Sequence, residues 1–141
     1  MSTALVAGAS GGIGLEFCKL LAGRGYNLIL VSRREALLHQ ISSDLSKEHG
    51  IQCTVIAADL AKPKAAQKLF EATQQKGLQV DFLINNAGLG MRQVSEKFNI
   101  EPTRFWDTEP EDWCSIIDTN LNGAFFTARI AAKHMAVADT H

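Results

Sequence analysis

Four short apolar runs, at residues 4–7, 27–31, 53–58 and 80–85, punctuate the chain. Each is followed by a longer stretch in which apolar residues recur at helical spacing. The runs are rich in β-branched residues and almost wholly apolar rather than alternating. They therefore predict parallel strands covered by helices on both faces, assembled from β-α-β units. After the first run, Ile13, Phe17, Leu20 and Leu21 form a helical stripe that Gly23 and Gly25 bring to a stop. The second predicted helix carries Leu37, Leu38, Ile41 and Leu45 and ends at Gly50. The third has Pro63 near its start, Leu69 and Phe70 within it and Gly77 past its end, the usual placement of proline first and glycine last.

Residues 89–107 then form a connection much longer than α/β units ordinarily use, and connections of that length often serve as lids or binding loops. Its aromatic residues Phe98, Phe105 and Trp106 either line a substrate pocket or anchor the loop. Thr108 with Glu111 three residues on reads as a capping box, opening a helix that passes through Trp113, Ile116, Ile117, Leu121, Phe125 and Ala128 toward Met135. At helical rise that element is roughly 40 Å long. No fifth strand follows it, and the sequence holds neither an internal repeat nor a linker. The expectation is one domain, residues 1–141, of α/β class: a Rossmann-type parallel sheet with helices on both faces, truncated after the long helix that follows the fourth strand.

Composition narrows the function. With 46% hydrophobic residues and only 3 prolines the chain is globular rather than disordered. Its 14 Lys and Arg against 15 Asp and Glu give a net charge of −1, so no basic field draws it to nucleic acid or anionic lipid. Cys18, Cys53 and Cys114 are odd in number and outside any C-x-x-C pair, which suggests neither a disulfide framework nor a zinc site. The N-terminus has no basic segment ahead of an apolar stretch long enough for a signal peptide or membrane span. A cytoplasmic protein is expected. His39, His49, His134 and His141 lack metal-ligand spacing, and no metal site is expected. Cys114, beside Trp113, reads as a packing residue, and Glu35, Asp44, Lys47 and Glu48 as the solvated face of the second helix.

The strongest chemical signal is Gly8-Ala9-Ser10-Gly11-Gly12-Ile13-Gly14, set between a strand and an amphipathic helix. Glycines there permit a tight turn and close backbone approach to a pyrophosphate, and free N–H groups at a helix start favour anions. By itself such a turn could also serve a methyltransferase cofactor or be purely structural. At the end of the second strand, Ser32-Arg33-Arg34 stands where an NAD-binding chain commonly has an acidic residue for the ribose 2′-hydroxyl. A guanidinium suits a 2′-phosphate instead, so NADP(H) is expected in preference to NAD(H), with Arg33 the first contact and Arg34 the second. The alternative is that both arginines are solvated residues opening the next helix.

The glycine spacing Gly8, Gly12, Gly14, together with Asp59-Leu60 after the third strand, Asn85-Asn86-Ala87-Gly88 after the fourth and Asn120 in the long helix, resembles the short-chain dehydrogenase/reductase family, over nearly the whole sequence. The segment from Gly25 to Arg34 is similar to the branch of NADP-dependent ketone, steroid and acyl reductases. The resemblance implies that Gly8, Ser10, Gly12, Ile13 and Gly14 line the cofactor phosphates and that Asp59 and Leu60 border the adenine. It further implies that Asn86, Ala87 and Gly88 lie by the ribose. Without the companion motifs, residues 85–88 would read simply as a strand-terminating turn.

The pattern then breaks. The family's general acid or base is a Tyr, a Lys four residues later lowers its pKa, and a preceding Ser polarises the carbonyl, all normally beyond the long helix. The single tyrosine here is Tyr26, followed four positions on by Leu30. Asn120 matches the family's catalytic Asn and is expected as a remnant of a site whose Ser, Tyr and Lys partners are absent. The implied activity is hydride transfer between NADP(H) and a carbonyl or alcohol small molecule, with this chain inactive alone. The alternatives are a non-catalytic nucleotide-binding or self-associating module and a non-functional fragment. A natural truncation, a deliberate fragment and a frameshift would all read this way. The expected strand order leaves the fourth strand at an open edge, so a homo-oligomer formed through that edge and the long helix is expected.

Overall fold

The computed structural model describes residues 1–94 and 104–138. Four strands, β1 (Thr3–Ala7), β2 (Asn27–Ser32), β3 (Cys53–Ala57) and β4 (Phe82–Asn85), form one parallel sheet in the order β3-β2-β1-β4. Leu5 pairs in register with Ile29 on one side and Leu83 on the other, so β1 is the central rung. Its residues Ala4, Leu5, Val6 and Ala7 have no exposed surface, as a strand covered on both faces requires. β4 begins two residues later than the apolar run suggests, and Val80 is buried ahead of it.

Helices α1 (Gly12–Gly23) and α2 (Glu35–His49) enclose one core with Val6, Leu28 and Leu30. Helix α3 (Ala65–Gln75) and a long C-terminal helix enclose the other with Leu5, Ile29 and Val31. Burying a Leu or Ile of this kind contributes about 1.5–3 kcal/mol. Helix α2 buries Leu38, Ile41 and Leu45 and stops at Gly50, whose φ of 67° is the left-handed conformation that glycine adopts freely.

In α1 the predicted stripe is corrected. Ile13 is 69% and Leu20 49% exposed, and the buried residues are Gly14, Cys18, Leu21 and Ala22. Leu21 is buried as the stripe predicts, but Ile13 and Leu20 turn outward and the small residues Gly14, Cys18 and Ala22, at four-residue spacing, fill the inner face. A Cβ at Gly14 would meet the Gly8 carbonyl oxygen there. Burial pushes the Cys18 thiol up to about 12, with Cys53 nearby adding to the effect, and burial also raises Cys53.

The connection after β4 holds a helical turn, α4 (Met91–Val94), and a 3₁₀ turn at Phe105–Asp107. Phe98 and His141 lie outside the described residues. The capping box does not form. Helix α5 (Pro110–Ile117) starts at Pro110 with Glu109 as its cap, and the Thr108 hydroxyl donates back to the Arg104 carbonyl at 3.3 Å. Proline at the first helical position sets the boundary and places Thr108 outside it. The helix then passes through a π-helical segment, Asp118–Gly123, into α6 (Ala124–Ala138). Gly123 faces the Leu60 carbonyl, and a Cβ there would stand 2.6 Å from that oxygen. Cys114 is exposed and Trp113 largely so, which corrects the reading of Cys114 as a packing residue: α5 precedes the part of the helix that meets the sheet. Among the described residues no helix is long and apolar enough to cross a membrane, and no group of three or more His, Cys, Asp or Glu could hold a metal.

Candidate functional site

Beyond the C-terminal ends of the strands lies a cavity of about 630 Å³. In an open parallel sheet this is where ligands bind, at the crevice where strand order reverses, here between β1 and β4. The loop after β1 supplies Gly8, Ser10, Gly11 and Gly12, and the end of β2 supplies Val31, Ser32, Arg33 and Arg34. Ala58, Asp59 and Leu60 follow β3, and Asn86, Ala87, Gly88 and Leu89 follow β4. Residues from four parts of the sequence thus share one hollow.

The loop after β1 is shaped by backbone contacts. The Val31 carbonyl accepts hydrogen bonds from the N–H groups of Gly8 at 2.8 Å and Ala9 at 3.1 Å, carrying the chain across β2 before it turns into α1. Gly8 sits at φ 79° against the backbone of Ala87, and Gly12 at φ 54°. Nothing lies within 4 Å of the Cβ position at Gly12, so its front is open. Gly14 is packed: a Cβ there would run into the Gly8 carbonyl oxygen and approach Asn86 Nδ2 to 2.7 Å. No side chain caps the first turn of α1, whose N–H groups and dipole therefore favour an anion.

The two arginines are placed differently. The Arg34 guanidinium donates through Nε to Ser10 Oγ at 3.1 Å and through Nη2 to the Ser10 carbonyl at 2.8 Å, and the Arg34 N–H donates to Ser32 Oγ at 3.1 Å. Arg34 thus braces the glycine loop against the β2–α2 corner. Arg33 is exposed and makes no hydrogen bond or ion pair among the described residues, leaving its charge free toward the cavity it lines. Asp59 Oδ1 accepts from the Ala61 N–H at 3.2 Å, which closes the turn after β3.

Five described residues singled out from the sequence for the site do not line the cavity, among them Phe105 and Trp106, which are exposed. Ile13 is exposed on the first turn of α1, Gly14 is buried, and Asn120 is exposed and bonded to the main chain of Leu89, itself a lining residue. Asn120 Oδ1 accepts from the Leu89 N–H and its Nδ2 donates to the Leu89 carbonyl, both at 2.7 Å. Seven lining residues were not among those expected from the sequence: Gly11, Val31, Ser32, Ala58 and Leu89, each within two positions of an expected one, and Gln93 and Thr119. Gln93, whose Oε1 accepts from the Gly90 N–H at 2.8 Å, gives no signal in the sequence. Thr119 could have been found only as the neighbour of Asn120.

Comparison with known proteins identifies the family and the fold. A family model described as short chain dehydrogenase matches residues 2–140. A sorbose reductase of Schizosaccharomyces pombe is 29% identical over 133 residues, covering 94% of this chain and 49% of the relative. A very-long-chain 3-oxoacyl-CoA reductase of Pyrenophora tritici-repentis is 39% identical over 134 residues, covering 94% of this chain and 37% of the relative. Among solved structures, an alcohol dehydrogenase from the archaeon Thermococcus sibiricus, complexed with 5-hydroxy-NADP, superposes with a TM-score of 0.83 at 27% identity, over 96% of this chain and 53% of that one. L-sorbose reductase from Gluconobacter frateurii, complexed with NADPH and L-sorbose, gives 0.83 at 25% identity, over 97% and 48%. The chain spans about half the length of these relatives, or less.

Proposed function

The chain belongs to the short-chain dehydrogenase family, and from that premise we propose that residues 1–141 form one nucleotide-binding unit holding NADP(H) in the cavity beyond β1 and β2. The observation that carries this reading is the convergence of an uncapped helix N-terminus, an open glycine loop and a free guanidinium on one hollow. That donor set fits a phosphorylated nucleotide: the cradle at Gly12 is empty where a Cβ would fill it, and its charge is cationic.

Ser10 and Gly12 bind the phosphates through backbone N–H groups and the Ser10 hydroxyl. Gly8, whose N–H is held by the Val31 carbonyl, lines them without a side chain, and Ile13 and Gly14 give first-turn N–H groups. Arg33 meets the 2′-phosphate first and Arg34 second. Asp59 and Leu60 flank the adenine, and Asn86, Ala87 and Gly88 the ribose. NADP(H), when bound, supplies or accepts the hydride exchanged with a carbonyl or alcohol. The relatives named for sorbose, 3-oxoacyl-CoA and alcohols support that class of substrate.

These residues include no Tyr-x-x-x-Lys pair, the family's proton-transfer group, because Tyr26 is the one tyrosine and Leu30 follows it at that spacing. Asn120 holds the Leu89 main chain through its carboxamide. The 141-residue chain is therefore proposed to bind the nucleotide and to turn over no substrate alone. Titration with NADPH and with NADH, read by calorimetry, tests the reading. Saturable binding that favours NADPH, with no ketone reduction, is the expected result. Absence of binding to either nucleotide overturns it.

A further inference from the structure

We propose that the chain carries a second small-molecule site, at the end of the sheet opposite the nucleotide cavity, that takes an apolar carboxylate of the medium-chain fatty acid kind. A cleft of about 450 Å³ lies between the C-terminal ends of α3 and α6, ahead of the start of β4. It shares no lining residue with the cavity beyond the C-terminal ends of the strands. Its volume falls within the range of about 300–1,000 Å³ that small-ligand sites occupy. Phe70, Leu78, Val80 and Val137 give it an apolar wall, and Phe70 and Val80 belong to the buried core, so that part of the wall is already packed in place.

The polar groups name the head of the ligand. Lys133 and His134 line the cleft, and no Asp or Glu does. The Lys133 side chain is exposed and makes no ion pair or hydrogen bond among the described residues. His134 is held: its ring stacks on Phe70 with centroids 5.1 Å apart and planes at 4°, and its Nδ1 is 3.1 Å from Gln74 Nε2. A carboxamide nitrogen only donates, so Nδ1 accepts and the ring proton is on Nε2, which leaves His134 a donor to offer.

The acceptors that would favour a cation are taken. Asp81 does not line the cleft, and its carboxylate accepts from the Thr3 N–H at 2.7 Å and from Gln79 Nε2 at 3.1 Å. At the end of α3 the Thr73 and Gln74 carbonyls accept from the N–H groups of Leu78 and Gly77, both at 2.9 Å, and the Phe70 carbonyl accepts from the Thr73 hydroxyl at 2.7 Å. Closing those carbonyls removes the exposed negative end of the helix. A cation and a fixed donor beside an apolar wall suit a carboxylate with a hydrocarbon tail. Nothing in the inference depends on nucleotide binding.

Calorimetry of the 141-residue chain with octanoate and with octanol, joined to amide chemical-shift mapping, tests it. Octanoate should bind saturably at a single site and octanol roughly tenfold more weakly, because the alcohol lacks the charged head. The shifts should centre on residues 70–80 and 133–137. Lys133→Glu should weaken octanoate by about tenfold. His134→Phe keeps a ring on Phe70 but removes the donor, and should weaken octanoate while leaving octanol unchanged. Absence of saturable binding, equal affinity for octanol, variants that bind octanoate as the wild type does, or shifts centred on residues 8–12 and 86–89 overturns the proposal. Circular dichroism checks that each variant folds. Should one not, the octanoate-to-octanol ratio and the shift map of the wild-type chain decide.

Discussion

The carboxamide of Asn120 pairs with the main chain of Leu89 through two hydrogen bonds of 2.7 Å, one donated and one accepted. A side chain in the π-helical segment thereby fixes the loop that leaves β4, much as a neighbouring strand would. Asn120→Ala deletes both bonds and should cost about 1–3 kcal/mol, each bond contributing of order 1 kcal/mol. Asn120→Asp keeps the acceptor for the Leu89 N–H but faces the carbonyl with an acid, so it should recover only part of the loss. Urea unfolding of the three proteins checks the order, and an alanine variant as stable as wild type refutes it.

Gly14 and Gly12 should respond to alanine for different reasons. At Gly14 the added methyl meets the Gly8 carbonyl and Asn86 Nδ2, so α1 must move off β1, at a cost of about 1–3 kcal/mol from overpacking. At Gly12 there is open space but φ is 54°, and only the left-handed backbone penalty of about 1–2 kcal/mol applies. Gly14→Ala is thus expected to shift hydrogen exchange along α1 and β1, with Gly12→Ala changing exchange only in the loop. Matching exchange maps for the two variants would contradict this.

The arginines should separate in nucleotide titrations. Arg33 is free to meet a phosphate and Arg34 is engaged with Ser10. Arg33→Asp should weaken NADPH by about tenfold or more while sparing NADH, since a charge-assisted contact is worth about 1.5–3 kcal/mol. Arg34→Ala removes the brace on the loop and should weaken both nucleotides. An unchanged NADPH-to-NADH ratio in Arg33→Asp would remove that residue from 2′-phosphate recognition.

The buried thiol makes stability depend on pH. Cys18 ionises near its ordinary value of 9.0 in the unfolded chain and only near about 12 in the folded one. Between these values the unfolded state releases a proton that the folded state keeps, so the fold loses up to about 1.4 kcal/mol per pH unit from this group as pH rises. Below pH 9 the contribution is flat. Cys18→Ala should show a shallower alkaline decline in stability than wild type. Alkylation at pH 8 should modify exposed Cys114 far faster than Cys18. Equal labelling rates would disprove the burial argument.

The strands, their parallel arrangement and the glycine stops were legible because each is dictated locally or nearly so. A wholly apolar run such as Leu28-Ile29-Leu30-Val31 has nowhere to go but the middle of a covered sheet. Gly50 and Gly77 take the left-handed backbone at helix ends where a Cβ would be strained. The short-chain dehydrogenase motifs, spaced along the chain, could likewise be read without coordinates.

What the tertiary structure decided is which surfaces come close. Helical period alone favoured Ile13 and Leu20 for the core. The close approach of α1 to the turn at Gly8 puts Gly14, Cys18 and Ala22 inside beside the expected Leu21, because shape and not hydrophobicity limits a contact that tight. The brace from Arg34 to Ser10 spans 24 positions, and the grip of Asn120 on Leu89 spans 31. No local rule anticipates either, since a hydrogen bond between distant residues exists only once packing has set the separation. The sequence by itself determined the elements and their family. The spacing of α1 from the sheet and the turn of the π-helical segment decided which of their side chains face the cavity and which hold its walls.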